Sequence, residues 1–272
     1  MKRLAIVSLI VAIPALTPLG VGSWKSGVAE LVAPSVLAQQ RGAATPTATP
    51  SASEPAPRMA DGKPDLSGVW WTGGDVGGRG FGGGRGRGGR GDGPAPPTFT
   101  GLYKPEAAAA AKKLNDNDDP TLKCVSTAFG TLNVSMFDVG AVAQIVATPK
   151  WIVMLTETFH GFRLIPTDGR AHREEVPPSY RGDAVGRWDG DIFVVDIRNF
   201  NDDNWIWAEG RASPHSDQMR IVERYRRVDK NTLEIEATIS DPKVLTAPWV
   251  VPKQTLTLAP FDQIMPLICS GL

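Results

Sequence analysis

Residues 181–198, RGDAVGRWDGDIFVVDIR, place the tightest constraint on what this chain can fold into. Two alternating runs flank Asp189-Gly190, and an Asp-Gly pair suits the positive-φ positions of a type I′ turn, so the stretch predicts a β-hairpin. With those two residues as the loop, Trp188 faces Asp191, Gly186 faces Phe193, Ala184 faces Val195 and Gly182 faces Ile197. Large side chains then cover small ones on one face. The other face pairs Arg187 with Ile192, Val185 with Val194 and Asp183 with Asp196, the last a suggestive pair of carboxylates.

A second hairpin carries its own register argument. Asp229-Lys230-Asn231 reads as a three-residue loop, with Asn231 suited to the left-handed position. Arg227 then faces Leu233, Tyr225 faces Ile235, Glu223 faces Ala237 and Ile221 faces Ile239. The opposite face pairs Arg226 with Glu234 and Arg224 with Glu236, and a one-residue slip would mix the two sets. Glu223 is the discordant member, because a carboxylate on an apolar face needs a cationic partner or a raised pKa. Glu157 makes a similar case: Trp151, Val153 and Leu155 precede it at alternate positions, and Arg163 follows across a turn containing Gly161.

Around these hairpins the signals are mostly those of strands. They fall near 133–137, 142–147, 151–157, 162–166, 179–188, 191–198, 218–228, 232–240 and 253–259, separated by Pro, Gly and Asp clusters. An aromatic strand at Val69-Trp70-Trp71 opens the folded part, which begins near Pro64. One helix is expected from Pro105 to Leu114, with Pro and Glu106 at its start and Lys112 and Lys113 at its end. Short strands with one helix indicate a mainly β fold, an antiparallel barrel or half-barrel over 64–272.

The segments outside that domain have other signatures. Lys2 and Arg3 precede an apolar run over 4–19, broken by Pro14 and Pro18, and Val36-Leu37-Ala38 fits a signal-peptidase site. Residues 1–38 therefore read as a signal peptide; a retained membrane anchor is the alternative. Residues 39–63, rich in Ala, Thr, Ser and Pro, read as a disordered tether. Residues 73–93 are mostly Gly, with Arg79, Arg85, Arg87 and Arg90 among them, and read as a disordered insertion.

Export and charge then narrow the partners. Losing the leader removes Lys2, Arg3, Lys25 and Glu30 from a chain with 29 basic and 29 acidic residues, so the mature protein stays near neutral. That balance argues against nucleic-acid partners, which need a sustained positive field, and a cleaved leader implies no stable membrane insertion. Cys124 and Cys269 are the only cysteines. In an oxidising compartment, periplasmic or extracellular, an even pair suggests a disulfide; two separately buried thiols are the alternative.

Few catalytic motifs are present. His160, His172 and His215 are too far apart for metal-ligand spacing, so neither a metal nor another cofactor is expected. There is no G-x-S-x-G elbow, phosphate loop or dinucleotide fingerprint. What remains is a polar constellation of Glu157, Glu223, Arg163, Arg170, His172 and His215 set against apolar strands. Glu157 and Glu223 as buried ion pairs with arginines is the plainer reading of the same residues.

Glu157, Arg163, Thr167-Asp168-Gly169-Arg170-Ala171-His172, Ser179-Tyr180-Arg181-Gly182-Asp183, Gly186-Arg187-Trp188-Asp189-Gly190-Asp191, His215-Ser216, Val222-Glu223-Arg224, Asp241-Pro242 and Pro248-Trp249 together form a recognisable series. The chain resembles, from about Pro64 to Ile268, an uncharacterised family of exported bacterial proteins. The resemblance implies a single β-rich domain similar to the lipocalin-like calycin barrels and carries no activity with it. The Gly-rich insertion departs from the family pattern.

Seven of the eight tryptophans follow the leader, and aromatic-lined barrel mouths hold small apolar molecules. The leading expectation is therefore a lipocalin-like binding module for a small, largely apolar ligand. Glu157, Arg163, Arg170, Trp188, Asp196 and Trp249 are its candidate contacts, and a barrel with a filled interior would count against it. The alternatives are acid–base catalysis by Glu223, His172 or His215 on the same scaffold, and a structural or interaction domain of the cell envelope.

Overall fold

The computed structural model describes residues 53–73, 96–130, 142–265 and Cys269. Its strands, in chain order, are β1 (Gly68–Trp71), β2 (Val142–Ala147), β3 (Trp151–Thr156), β4 (Phe162–Pro166), β5 (Asp183–Asp189) and β6 (Ile192–Arg198). They continue as β7 (Ile206–Ala208), β8 (Arg211–Ser213), β9 (Arg220–Asp229), β10 (Thr232–Ser240), β11 (Trp249–Val250) and β12 (Gln254–Leu258). A single short α-helix, α1 (Pro105–Ala111), occurs among the described residues and ends earlier than the run to Leu114 predicted. The strands expected near 133–137 and most of the Gly-rich insertion lie outside the described residues, as do 1–52.

Nine strands form one antiparallel sheet in the order β4-β3-β2-β1-β12-β10-β9-β6-β5, with β11 pairing β10, and β7 and β8 form a separate hairpin. The sheet curls into a nearly closed, lipocalin-like barrel in which β4 and β5 are the two end strands. Alternation sets its inner face. On β9, Ile221, Glu223, Tyr225 and Arg227 are buried, and on β10, Leu233, Ile235, Ala237 and Ile239. One contiguous apolar cluster draws side chains from all nine strands, with Trp70, Tyr225, Phe193 and Ile152 fully buried in it. Among the described residues, side chains thus fill the barrel axis.

The β9–β10 hairpin has the predicted register, with Arg227 opposite Leu233, Glu223 opposite Ala237 and Ile221 opposite Ile239. A bulge beside the turn moves Thr232 onto Asp229, and the Asp229 carboxylate accepts the Asn231 amide at 2.8 Å, so Asn231 needs no left-handed backbone. Arg226 reaches Glu234 at 3.8 Å. Arg224 turns instead to Asp189 at 3.1 Å, a carboxylate on the next hairpin.

The β5–β6 hairpin differs from its predicted register by two residues. Trp188 pairs with Phe193, Gly186 with Val195, Ala184 with Ile197 and Asp183 with Arg198, so the turn is Gly190-Asp191. Gly190 holds φ +60° at the first central position, as a type II′ turn requires. A two-residue shift keeps every side chain on its face, so alternation cannot detect it. The Phe193 ring, now diagonal to Gly186, still lies so close over it that any side chain there would collide with it. Arg58 also grips Asp191 in the turn, at 2.7 Å.

That last contact moves the domain boundary. Residues 53–63, read as tether, lie along the barrel: Arg58 bridges to Pro64 in β geometry, Lys63 sits 6.0 Å from the Trp188 ring centroid, and Lys230 pairs with Glu54 at 2.9 Å. A few long cationic and anionic side chains hold a segment with little apolar bulk. Cys124 and Cys269 form a disulfide across a separation of 145 residues. Closing a loop of that size stabilises by about 5 kcal/mol in the chain-entropy account.

Candidate functional site

Among the described residues a cleft lies at the seam where the sheet fails to close. β4 supplies one wall and β5 the other, and residues 167–182, the strap joining them, roof the gap. The resulting cleft has a volume of about 400 Å³. Trp151, Phe162, Leu164 and Pro166 make its apolar side. Four arginines, Arg163, Arg170, Arg173 and Arg181, face it with a single lining carboxylate, Asp183.

The apolar side continues outward over the sheet. Val146 pairs with Val153 and Val153 with Leu164, while Leu155 pairs with Phe162, so β2, β3 and β4 place apolar side chains in register on their outer face. Phe162 is 66% exposed, Leu164 48% and Val146 40%. This corrects the expectation for β3. Trp151, Val153 and Leu155 point outward, and Ile152, Met154 and Thr156 fill the interior. Glu157 lies past the end of the strand, at the start of a 3-10 turn (Thr158–His160), where its carboxylate accepts the Met265 amide at 3.1 Å. It is not an inward carboxylate, because the 151, 153, 155 series whose face it was assigned to is the outer one.

Arg163 is the link between the cleft and the barrel interior. It is an inward residue of β4, 5% exposed along its side chain, and its Nη1 stands 3.7 Å from the Glu223 carboxylate, which has no exposed surface. Tyr225, two residues along the same face of β9, donates its hydroxyl to Glu223 at 2.7 Å. The cationic partner that Glu223 demanded is therefore Arg163, and period-2 spacing already placed Tyr225 beside it.

On the outer face of the same sheet lies a second polar cluster. His172, on the strap, donates from Nδ1 to Asp183 at 3.0 Å, and its Nε2 stands 3.6 Å from Asp196. Arg173 adds two bonds to Asp183, at 2.9 and 2.6 Å. Asp196 is gripped by Arg220 at 2.7 Å and by Arg198 at 2.9 Å. Burial alone would raise the pKa of Asp196, but the hydrogen bonds from Arg220 and Arg198 outweigh it and hold the carboxyl down at about 2. Asp183 is likewise lowered: its burial acts upward and is overcome by Arg173 and His172. Both carboxylates stay ionised and committed to cations, so the cluster pins the strap rather than offering a free base. The two aspartates predicted to face each other are diagonal neighbours, with His172 bridging them.

The remaining candidates lie elsewhere. His215 is buried, its Nε2 donating to Asn204 Oδ1 at 2.9 Å, and Asn204 is itself oriented by donating to the Ser126 and Tyr180 carbonyls. Burial lowers the His215 pKa, which favours the neutral ring of a structural hydrogen bond. Trp249 stacks edge-on against Phe99 at 5.1 Å in the core, and Trp188 packs on Phe193 at 5.1 Å near the hairpin turn. Arg170 is at the cleft: it pairs with Asp168 at 2.7 Å and lies 5.3 Å from the Trp151 ring centroid. Arg173, Arg181 and Trp151 were not among the candidates. Arg173 and Arg181 lie on the strap, which has no alternation to mark their direction, and Trp151 lies on the face of β3 that alternation assigned to the interior.

Among the described residues no group of His, Cys, Asp and Glu is arranged to hold a metal, and no helix is long and apolar enough to cross a membrane. No family model, curated protein or solved structure matches the chain.

Proposed function

We propose that this protein is an exported binding module that takes a small, largely apolar molecule into the seam cleft between β4 and β5. The observation that carries the reading is the wall of Trp151, Phe162, Leu164 and Pro166, which leaves apolar surface exposed beside an enclosed concavity. The resemblance to exported bacterial β-rich proteins, the leader-like residues 1–38 and the disulfide all agree with a periplasmic or extracellular site of action.

A neutral fluorescent apolar probe, N-phenyl-1-naphthylamine, tests the reading. It is expected to brighten on binding and to lose that response in Leu164→Asp, whose exposed position leaves the core intact. An unchanged response in Leu164→Asp, or no response in the parent protein, would reject the cleft as the site. A second reading, an interaction domain of the cell envelope, draws on the exposed apolar face of β2, β3 and β4. Acid–base catalysis has less support: Glu223 is enclosed, and His172 and His215 are occupied in structural contacts.

A further inference from the structure

The cleft is apolar on one side and cationic on the other, which narrows the chemistry of what it holds. Four guanidinium groups line it against one carboxylate. Two of them face carboxylates that are themselves buried: Arg163 meets Glu223 and Arg173 meets Asp183. Arg181 reaches the Thr156 hydroxyl at 3.5 Å. Arg170 differs in kind. Its carboxylate partner, Asp168, is two residues away on the same strap, and the two side chains are 49% and 56% exposed. Solvent screens an exposed pair of this sort, so exchanging Asp168 for another carboxylate costs little.

Arg170 is also well placed for the exchange. Its guanidinium lies 5.3 Å from the Trp151 ring centroid, at the edge of the apolar wall. It already holds a carboxylate with two prongs, Nε to Oδ1 at 2.9 Å and Nη2 to Oδ2 at 2.7 Å, the planar geometry that arginine favours. Resting on the binding reading above, we propose that the ligand is an amphipathic carboxylate. Its apolar body lies on Trp151, Phe162 and Leu164, and its carboxylate displaces Asp168 from Arg170.

Three probes with one aromatic body and different heads separate this from the parent reading: 2-naphthoic acid, its methyl ester and 2-naphthylmethylamine. Titration by isothermal calorimetry near neutral pH is expected to show the acid binding about tenfold or more tighter than the ester, the gain of a charge-assisted contact, with the ammonium weakest. Arg170→Gln should bring the acid to the level at which the ester binds the same variant, abolishing the preference for the carboxylate head. Asp168→Asn should tighten the acid severalfold by removing the competing carboxylate. Equal binding of acid and ester, or an acid affinity indifferent to both variants, overturns the carboxylate inference while leaving the apolar site standing. Binding of none of the three, with no N-phenyl-1-naphthylamine signal either, overturns both.

Discussion

Glu223 and Asp196 sit one rung apart on neighbouring strands and lead opposite lives. Glu223 pairs across the ladder with Val195, and Asp196 with Val222, so a single step along the sheet sends one carboxylate into the barrel and the other to its outer face. Inside, Glu223 is fully buried and meets the Tyr225 phenol and the Arg163 guanidinium. Outside, Asp196 has two arginines and an imidazole at the edge of water. The inner carboxylate has no exposed surface, so the loss of a contact there is not made up by bulk solvent. The outer one shares its charge among several partners and solvent, so any single loss is softened.

This contrast can be broken most sharply at Arg163. Arg163→Met leaves Glu223 buried without its guanidinium and should cost about 3–5 kcal/mol in urea unfolding. Adding Glu223→Gln, which keeps an acceptor for Tyr225, should recover most of that loss. A cost for Arg163→Met below about 1 kcal/mol would mean that the inner carboxylate is not dependent on its cation.

The outer face should instead reveal itself through pH. The folded pKa of Asp196 is about 2, below its ordinary value of 3.8, so its contribution is fully present above about pH 4 and lost as pH falls through about 2. About 2–3 kcal/mol is at stake, and Asp196→Asn should flatten that part of an acid-unfolding curve. Tyr225→Phe, which removes one hydrogen bond from the enclosed carboxylate, should cost about 1–3 kcal/mol by thermal unfolding. Smallest of all should be Arg224→Ala, which breaks an exposed pair with Asp189 and should move stability by about 0–1 kcal/mol. A loss there as large as that of Tyr225→Phe would erase the distinction between the two faces.

The two hairpins show how far reading residues in order can reach. In the β9–β10 pair, Glu223 on an apolar row with arginines and glutamates on the other admitted one register, and that register is the one found. In the β5–β6 pair the same alternation admitted two registers that differ by two residues. In the register found, Arg58 reaches the Asp191 of the turn from another part of the chain, a contact alternation does not show. At β3, strict alternation of apolar residues on both faces hid which was inner, and Glu157 was assigned to the interior for that reason.

The amino-acid sequence alone determined the β-rich class and the inward position of Glu223, and it raised a cation beside Glu223 and a bond between the two cysteines as expectations. All of these follow from local period, charge and composition. Only the tertiary structure decided that β4 and β5 would be the ends of the sheet. The same holds for Arg163 reaching Glu223 from sixty positions away, and for the strap from 167 to 182 roofing a cleft lined with arginines. Alternation specifies a side chain's face but not its distant neighbours, which are set when the sheet curls and its ends come to rest beside each other.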